Sequence, residues 1–293
     1  MNRLGMHMML YTSEWTEPRA RTVLERAKEF EYDFVEILIF DPASIDAAMT
    51  ARLSTEYAVP VEATICGAPT ADLSSDDPET VRRGEAAISR GIEVASEMGA
   101  TLLGGPTFSA VQRYPSPPSQ AARERITDSY ARLADRATAA GIRLGLEALN
   151  RYESNFVNTV GQAADIVRKV GSPALFVHAD LFHMNMEEHH LPTAVAEVAD
   201  VLGYVHVAES NRGALGTGNT DWPTFFGALA GIGYDGPITF ESFSPTVLGE
   251  EMTSLIALWR AQWTDPDEVA KSGIAFMRDH LQRSARSGAH HGS

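Results

Sequence analysis

Four residues able to ligate a metal or move a proton stand at the ends of short apolar runs. Glu147 closes IRLGLE (142–147), in which Ile142, Leu144 and Leu146 alternate with Arg143 and Gly145, and the polar turn Asn150-Arg151-Tyr152-Glu153 follows. Asp180 ends ALFVHAD (174–180), His206 lies near the end of GYVHVA (203–208), and Glu241 ends PITFE (237–241). Two Glu, one Asp and one His form an oxygen and nitrogen set without thiolate, which suits Mn²⁺, Mg²⁺ or Co²⁺ better than structural zinc. A divalent ion with room left for substrate can polarise a carbonyl. Two carboxylates on opposite faces of one carbon could then remove a proton from one face and return one to the other, an epimerisation; one base shuttling between neighbouring carbons would give an aldose–ketose isomerase. If the acids were merely salt-bridged, Arg151 and Arg212 would be too few cations nearby in sequence to neutralise three carboxylates.

These residues need elements to position them, and their spacing supplies one. Consecutive candidates are separated by about 30 residues, the length of one strand plus one helix with short loops. Apolar runs at 4–10, 34–40, 59–66 and 100–104 predict four earlier strands. Helices are expected from Thr16 with Pro18 just after it, over 44–57, from Asp77-Pro78-Glu79 to about Met98, over 121–140 and over 161–170. Further helices are expected over 187–201, interrupted at Pro192, from the Asp221 cap to about Gly231, and over 252–263 and 266–282. Eight strands alternating with helices, with every candidate ligand at a strand's C-terminal end, predict an α/β fold, a single-domain (β/α)8 TIM barrel. A doubly wound open sheet would need a phosphate fingerprint after its first strand, and none is there. The barrel is expected to span residues 1–286, and SGAHHGS (287–293) to be a disordered tail.

The chain has 293 residues, 44% hydrophobic and 22% charged, enough for one enzyme domain with a full core. Its formal net charge of −15 argues against nucleic acid or an anionic membrane surface as partner. The one cysteine, Cys66, cannot form an intrachain disulfide and reads as a small buried residue at a strand end. No signal peptide or membrane span is evident at the N-terminus, so the expected compartment is the cytoplasm. Glu36 is the one charge inside FVEILIF (34–40) and reads as a paired carboxylate of the barrel interior. The stretch 105–120, rich in Gly, Pro and Ser, is long enough to border a site.

The blocks LEALNRYESN (146–155), VHADLFHMNMEE (177–188), HVAESNRG (206–213) and GYDGPITFESFS (233–244) together resemble the ketose 3-epimerases, the D-tagatose and D-allulose 3-epimerase group of the sugar isomerase and epimerase barrels. The resemblance extends over nearly the whole chain, including Glu14-Trp15 and the final helices. It implies that Glu147, Asp180, His206 and Glu241 bind Mn²⁺ or a similar ion, and that Glu147 and Glu241 are also the proton-transfer pair at C3 of an unphosphorylated ketose. It further implies that Glu153, His183 and Arg212 hold the O1 to O3 end of the sugar, and that the chain forms a homodimer or homotetramer. His7 stands where the tagatose-epimerase type has an apolar pocket residue; it and the proline-rich 105–120 loop border the far end of a sugar and bear on substrate identity. The same motifs are shared with other metal-dependent sugar isomerases and with C-glycoside-cleaving catalytic subunits, which act on 3-keto sugars with a smaller partner chain. An endonuclease IV-type phosphodiesterase would require more His ligands and a basic surface.

Smaller signals have simpler readings. His189-His190 beside Glu187-Glu188 is a solvated helix start. Gly216-Thr217-Gly218 is a turn before the Asp221 cap, with no Lys to mark a phosphate site. His178 shares a strand face with Asp180 one layer deeper and is expected to be a hydrogen-bonded core histidine. Trp15, in the first loop, is a candidate wall of the sugar pocket.

Overall fold

The computed structural model describes residues 2–289. Eight parallel strands close on themselves in chain order: β1 (Leu4–His7), β2 (Phe34–Ile39), β3 (Val61–Ile65), β4 (Leu102–Gly104), β5 (Arg143–Glu147), β6 (Leu175–Asp180), β7 (Leu202–Val207) and β8 (Ile238–Phe240), with β1 pairing both β2 and β8. This is the expected (β/α)8 barrel. The strands read as near-continuous apolar runs because helices cover their outer face while side chains fill the interior, and β6 is buried at all six positions. Phe34, Leu102, Phe176 and Tyr204 form their own buried cluster, separate from the larger core.

The helices are α1 (Glu17–Glu29), α2 (Ala47–Tyr57), α3 (Pro78–Met98), α4 (Gln120–Ala140), α5 (Val160–Val170), α6 (Leu181–Glu187), α7 (Leu191–Glu197), α8 (Trp222–Gly231), α9 (Glu250–Leu255) and α10 (Pro266–Ala289). Local chemistry sets their ends. Asp77 accepts from the N–H groups of Glu79 and Thr80 to start α3, and Gly99, with φ 85°, ends it in the left-handed conformation. Thr159 and Gln162 form a reciprocal capping box at α5, and the Asp221 carboxylate caps α8 through Thr224 N–H.

Several boundaries differ from expectation. Residues 42–44 form a separate 3-10 turn, and α2 starts only where Asp46 caps it through Met49 N–H. The helix expected over 187–201 is two short ones: α6 springs directly from Asp180, and Pro192 sits in the first turn of α7, where its missing N–H costs nothing. The helix expected over 252–263 ends at Leu255, before Ala257 turns left-handed at φ 51°. Beyond it, the Trp263 indole N–H donates to Ser242 Oγ and its carbonyl accepts from Ser244 Oγ, which ties the irregular 256–265 segment to the strand-8 loop. α10 continues through Ala289, past the point where a disordered tail was expected; 290–293 lie outside the described residues. Among the described residues no helix is long and apolar enough to cross a membrane.

Candidate active site

The C-terminal ends of β5, β6, β7 and β8 bring Glu147, Asp180, His206 and Glu241 together, each at most 7% exposed. Ligand atoms of Asp180, His206 and Glu241 lie within 4.8 Å of one another, as do those of Glu147, Asp180 and His183 and those of Glu147, His178 and His206. His206 Nδ1 is 3.8 Å from Oε1 of Glu147 and 3.8 Å from Oε1 of Glu241. The two glutamates therefore approach one imidazole edge from strands three apart in the barrel.

The imidazoles have defined roles because their second nitrogens are occupied. His206 Nε2 donates to Oε2 of Glu36 at 2.7 Å, leaving buried Nδ1 without a hydrogen-bond partner. His183 Nδ1 accepts from the Asn150 N–H at 3.1 Å, so its proton sits on Nε2, 3.5 Å from Oδ2 of Asp180. His7 Nδ1 accepts from Met9 N–H at 3.1 Å, directing Nε2–H toward Glu36 at 3.5 Å and Glu241 at 3.9 Å. His178 Nδ1 accepts from Gly105 N–H at 3.2 Å, and the ring is fully buried below Asp180 as a hydrogen-bonded core histidine. Burial favours the neutral form of all four: it pulls His7 down to about 4 and His206 to about 3, and His178 and His183 well below their ordinary value.

The carboxylates are pushed the other way. Burial raises Glu147 well above the usual range, with repulsion from Asp180 and Glu241 adding to it. Burial also raises Asp180 and Glu241, against the opposing pull of Arg212. Arg212 Nη1 donates to Glu241 and lies 3.4 Å from Oδ2 of Asp180, its guanidinium between the rings of Phe182 and Phe243 at 3.7 and 4.8 Å. Its backbone is left-handed at φ 60°. That conformation is held by its N–H donating to Glu209 O and its carbonyl accepting from Ser242 Oγ and Phe243 N–H. Arg151, the other nearby cation, pairs instead with Glu187 on the surface. Excess buried carboxylate, oxygen and imidazole donors and an unpartnered Nδ1 fit a divalent cation.

The cavity above this cluster is lined by His7, Glu147, Glu153, His183, His206, Arg212 and Glu241 together with apolar Leu38, Phe40, Phe243 and Met252. Glu153 is fixed by Asn150 Nδ2, which donates to its Oε1 at 2.8 Å. Cys66 and Val111 also face the cavity, so the loop after β3 and the proline-rich loop after β4 both border it. Trp15 does not line it: its indole N–H is taken by Thr50 Oγ1 of α2 at 2.9 Å, and the ring is buried in the hydrophobic core.

Three residues matter more than their sequence context suggests. Asn150 orients both His183 and Glu153. Phe182 flanks Arg212 from the start of α6, an element absent from the periodicity reading. Glu209 accepts from the N–H groups of Ser210, Gly216 and Thr220 and from the Trp222 indole. Its carboxylate fills the place an anion would take in the glycine-rich loop, and an acid directly after a strand and before such a loop was the available signal.

Comparison with known proteins agrees with this architecture. The family model described as xylose isomerase-like TIM barrel matches residues 24–291. The ketose 3-epimerase of Arthrobacter globiformis is 37% identical over 279 residues, covering 95% of this chain and 96% of that protein. The L-ribulose 3-epimerase of Methylomonas sp. (strain DH-1) is 37% identical over 274 residues, 94% and 96% of the two chains. A crystal structure of D-allulose 3-epimerase from Methylomonas sp. in complex with D-allulose superposes with a TM-score of 0.92 at 36% identity, over 95% of this chain and 97% of that one. The chain thus belongs to the xylose isomerase-like TIM barrel family and, within it, to the ketose 3-epimerases, carbohydrate epimerases of the isomerase class.

Proposed function

We propose that this protein is a metal-dependent ketose 3-epimerase that inverts C3 of an unphosphorylated ketose by a two-base transfer between Glu147 and Glu241. The observation that carries this reading is the approach of both glutamates to the same His206 nitrogen, each 3.8 Å away, in the lining of one cavity. Glu147, Asp180, His206 Nδ1 and Glu241 would hold the ion, Mn²⁺ by preference with Co²⁺ or Mg²⁺ able to substitute. When bound, it supplies positive charge that offsets electron build-up beside a carbonyl.

One glutamate removes H3 as a proton, and the electron pair of the broken C–H bond moves toward the C2 carbonyl to give an enediolate. The other glutamate, protonated, delivers its proton to the opposite face of C3. Burial that raises the proton affinity of both carboxyls suits each to this exchange near neutral pH. Arg212, His183 Nε2–H and Glu153 offer donors and an acceptor that fix the hydroxyls at the O1 to O3 end, and His7 Nε2–H presents a donor beside Glu241. The Glu209 carboxylate inside the glycine-rich loop supports an unphosphorylated substrate, because it would repel a phosphate there.

The relatives' substrates suggest the assay. Mn²⁺-loaded protein is expected to convert D-allulose and L-ribulose to their C3 epimers, with EDTA abolishing turnover and Mn²⁺ or Co²⁺ restoring it. Full turnover after verified metal removal would overturn the metal-dependent reading.

A further inference from the structure

We propose that Glu36 is a positioning residue that fixes the His206 imidazole with Nδ1 unprotonated and aimed at the ion site. The inference rests on the metal-dependent reading above. Glu36 reaches from β2 across the barrel interior to β7, where its Oε2 accepts from His206 Nε2 at 2.7 Å and from the Tyr204 hydroxyl. Its Oε1 accepts from Thr64 Oγ1 at 2.8 Å and stands 3.5 Å from His7 Nε2. The side chain is fully buried, so these contacts fix its orientation.

A carboxylate accepting from one imidazole nitrogen forces the proton onto that nitrogen and raises the donor strength of the other. His206 Nδ1 is left buried and without a partner, between the carboxylates of Glu147 and Glu241. A carboxylate deep inside an apolar strand is costly unless it is used, and three hydrogen-bond donors from two other strands converge on this one.

The test is Mn²⁺ titration calorimetry on wild type, Glu36→Gln, Glu36→Leu and Tyr204→Phe, with ¹⁵N NMR of histidine-labelled apo protein assigned through His206→Asn. Glu36→Gln keeps only a weaker neutral acceptor and Glu36→Leu none, so Mn²⁺ affinity is expected to fall in that order by about 10-fold to 100-fold. Tyr204→Phe leaves the imidazole bond in place and is expected to stay near wild type. NMR is expected to show Nε2 protonated in wild type and mixed tautomers in Glu36→Leu. Equal affinity in all four proteins, or a loss in Tyr204→Phe as large as in Glu36→Leu, would overturn the inference. A wild type that binds no Mn²⁺ would instead overturn the metal-dependent reading, and the tautomers would still decide the role of Glu36. Should the Glu36 variants fail to fold, a proton on Nδ1 in wild type overturns it alone.

Discussion

Asp180 and His206 are cross-strand partners only because the register between β6 and β7 shifts by one residue below them. Val177 pairs with Leu202, but His178 pairs with Tyr204, so Gly203 is skipped and Asp180 comes level with His206. Side chains alternate between the barrel interior and the helical layer, so without the shift Asp180 would stand beside an outward-facing residue. One irregularity in the sheet thus sets the spacing of two candidate ligands.

Gly203 is the residue that makes this possible. A Cβ there would fall 2.6 Å from the Phe176 side chain, whose ring belongs to the buried Phe34, Leu102 and Tyr204 cluster. Gly203→Ala is expected to cost about 1–3 kcal/mol through overpacking. It should also weaken Mn²⁺ binding by disturbing the Asp180–His206 pairing. Urea unfolding and metal titration check the two effects, and a variant with unchanged stability would show that the sheet tolerates the methyl.

Arg212→Ala is expected to raise KM for the ketose while leaving metal content unchanged or higher. The guanidinium bonds the Asp180 and Glu241 carboxylates, so it competes with a cation for them. Metal analysis beside steady-state kinetics separates the possibilities: loss of metal with unchanged KM would make Arg212 a structural counter-ion rather than a substrate contact.

Much of this was legible in the residues themselves. The ends of β5, β6 and β8 are marked by apolar runs that stop at a charge, and the ligand candidates sit at the C-terminal ends of barrel strands. Glu36 in the middle of β2 reads as a paired carboxylate, and it is paired; its partners on β3 and β7 lie far away in sequence, so their identity needed the closed sheet. Trp15 read as a pocket wall, but its N–H found Thr50 on α2, and no local pattern encodes that contact. The brevity of α6 and α9 was hidden for a similar reason. Their ends are set by Asp180 acting as both strand end and cap and by Ala257 turning left-handed, which hydrophobic spacing does not record.

Glu209 predicts a pH effect of definite sign. Backbone and side-chain donors around it, together with the Trp222 indole, outweigh its burial and pull its carboxyl down to about 2. A carboxyl lowered on folding stabilises the native state above its unfolded pKa, and that contribution fades as pH falls toward the folded value. Glu209→Gln is therefore expected to lose about 2 kcal/mol at pH 7, the scale of hydrogen bonds to a charged group. The gap from wild type should narrow steadily below about pH 4.5. Denaturant titrations across this range check it; a gap that widens on acidification would contradict the assignment.

The central claim, that two glutamates act on opposite faces of C3, is tested most directly by NMR of the Mn²⁺-loaded enzyme turning over D-allulose in D₂O. Two exchangeable bases predict deuterium at C3 of the product epimer from the first turnover while recovered substrate stays unlabelled at early times, and loss of that signal in both Glu147→Gln and Glu241→Gln. Product that retains the substrate's own hydrogen at C3, or label at C1 accompanied by an aldose, would contradict the two-base account.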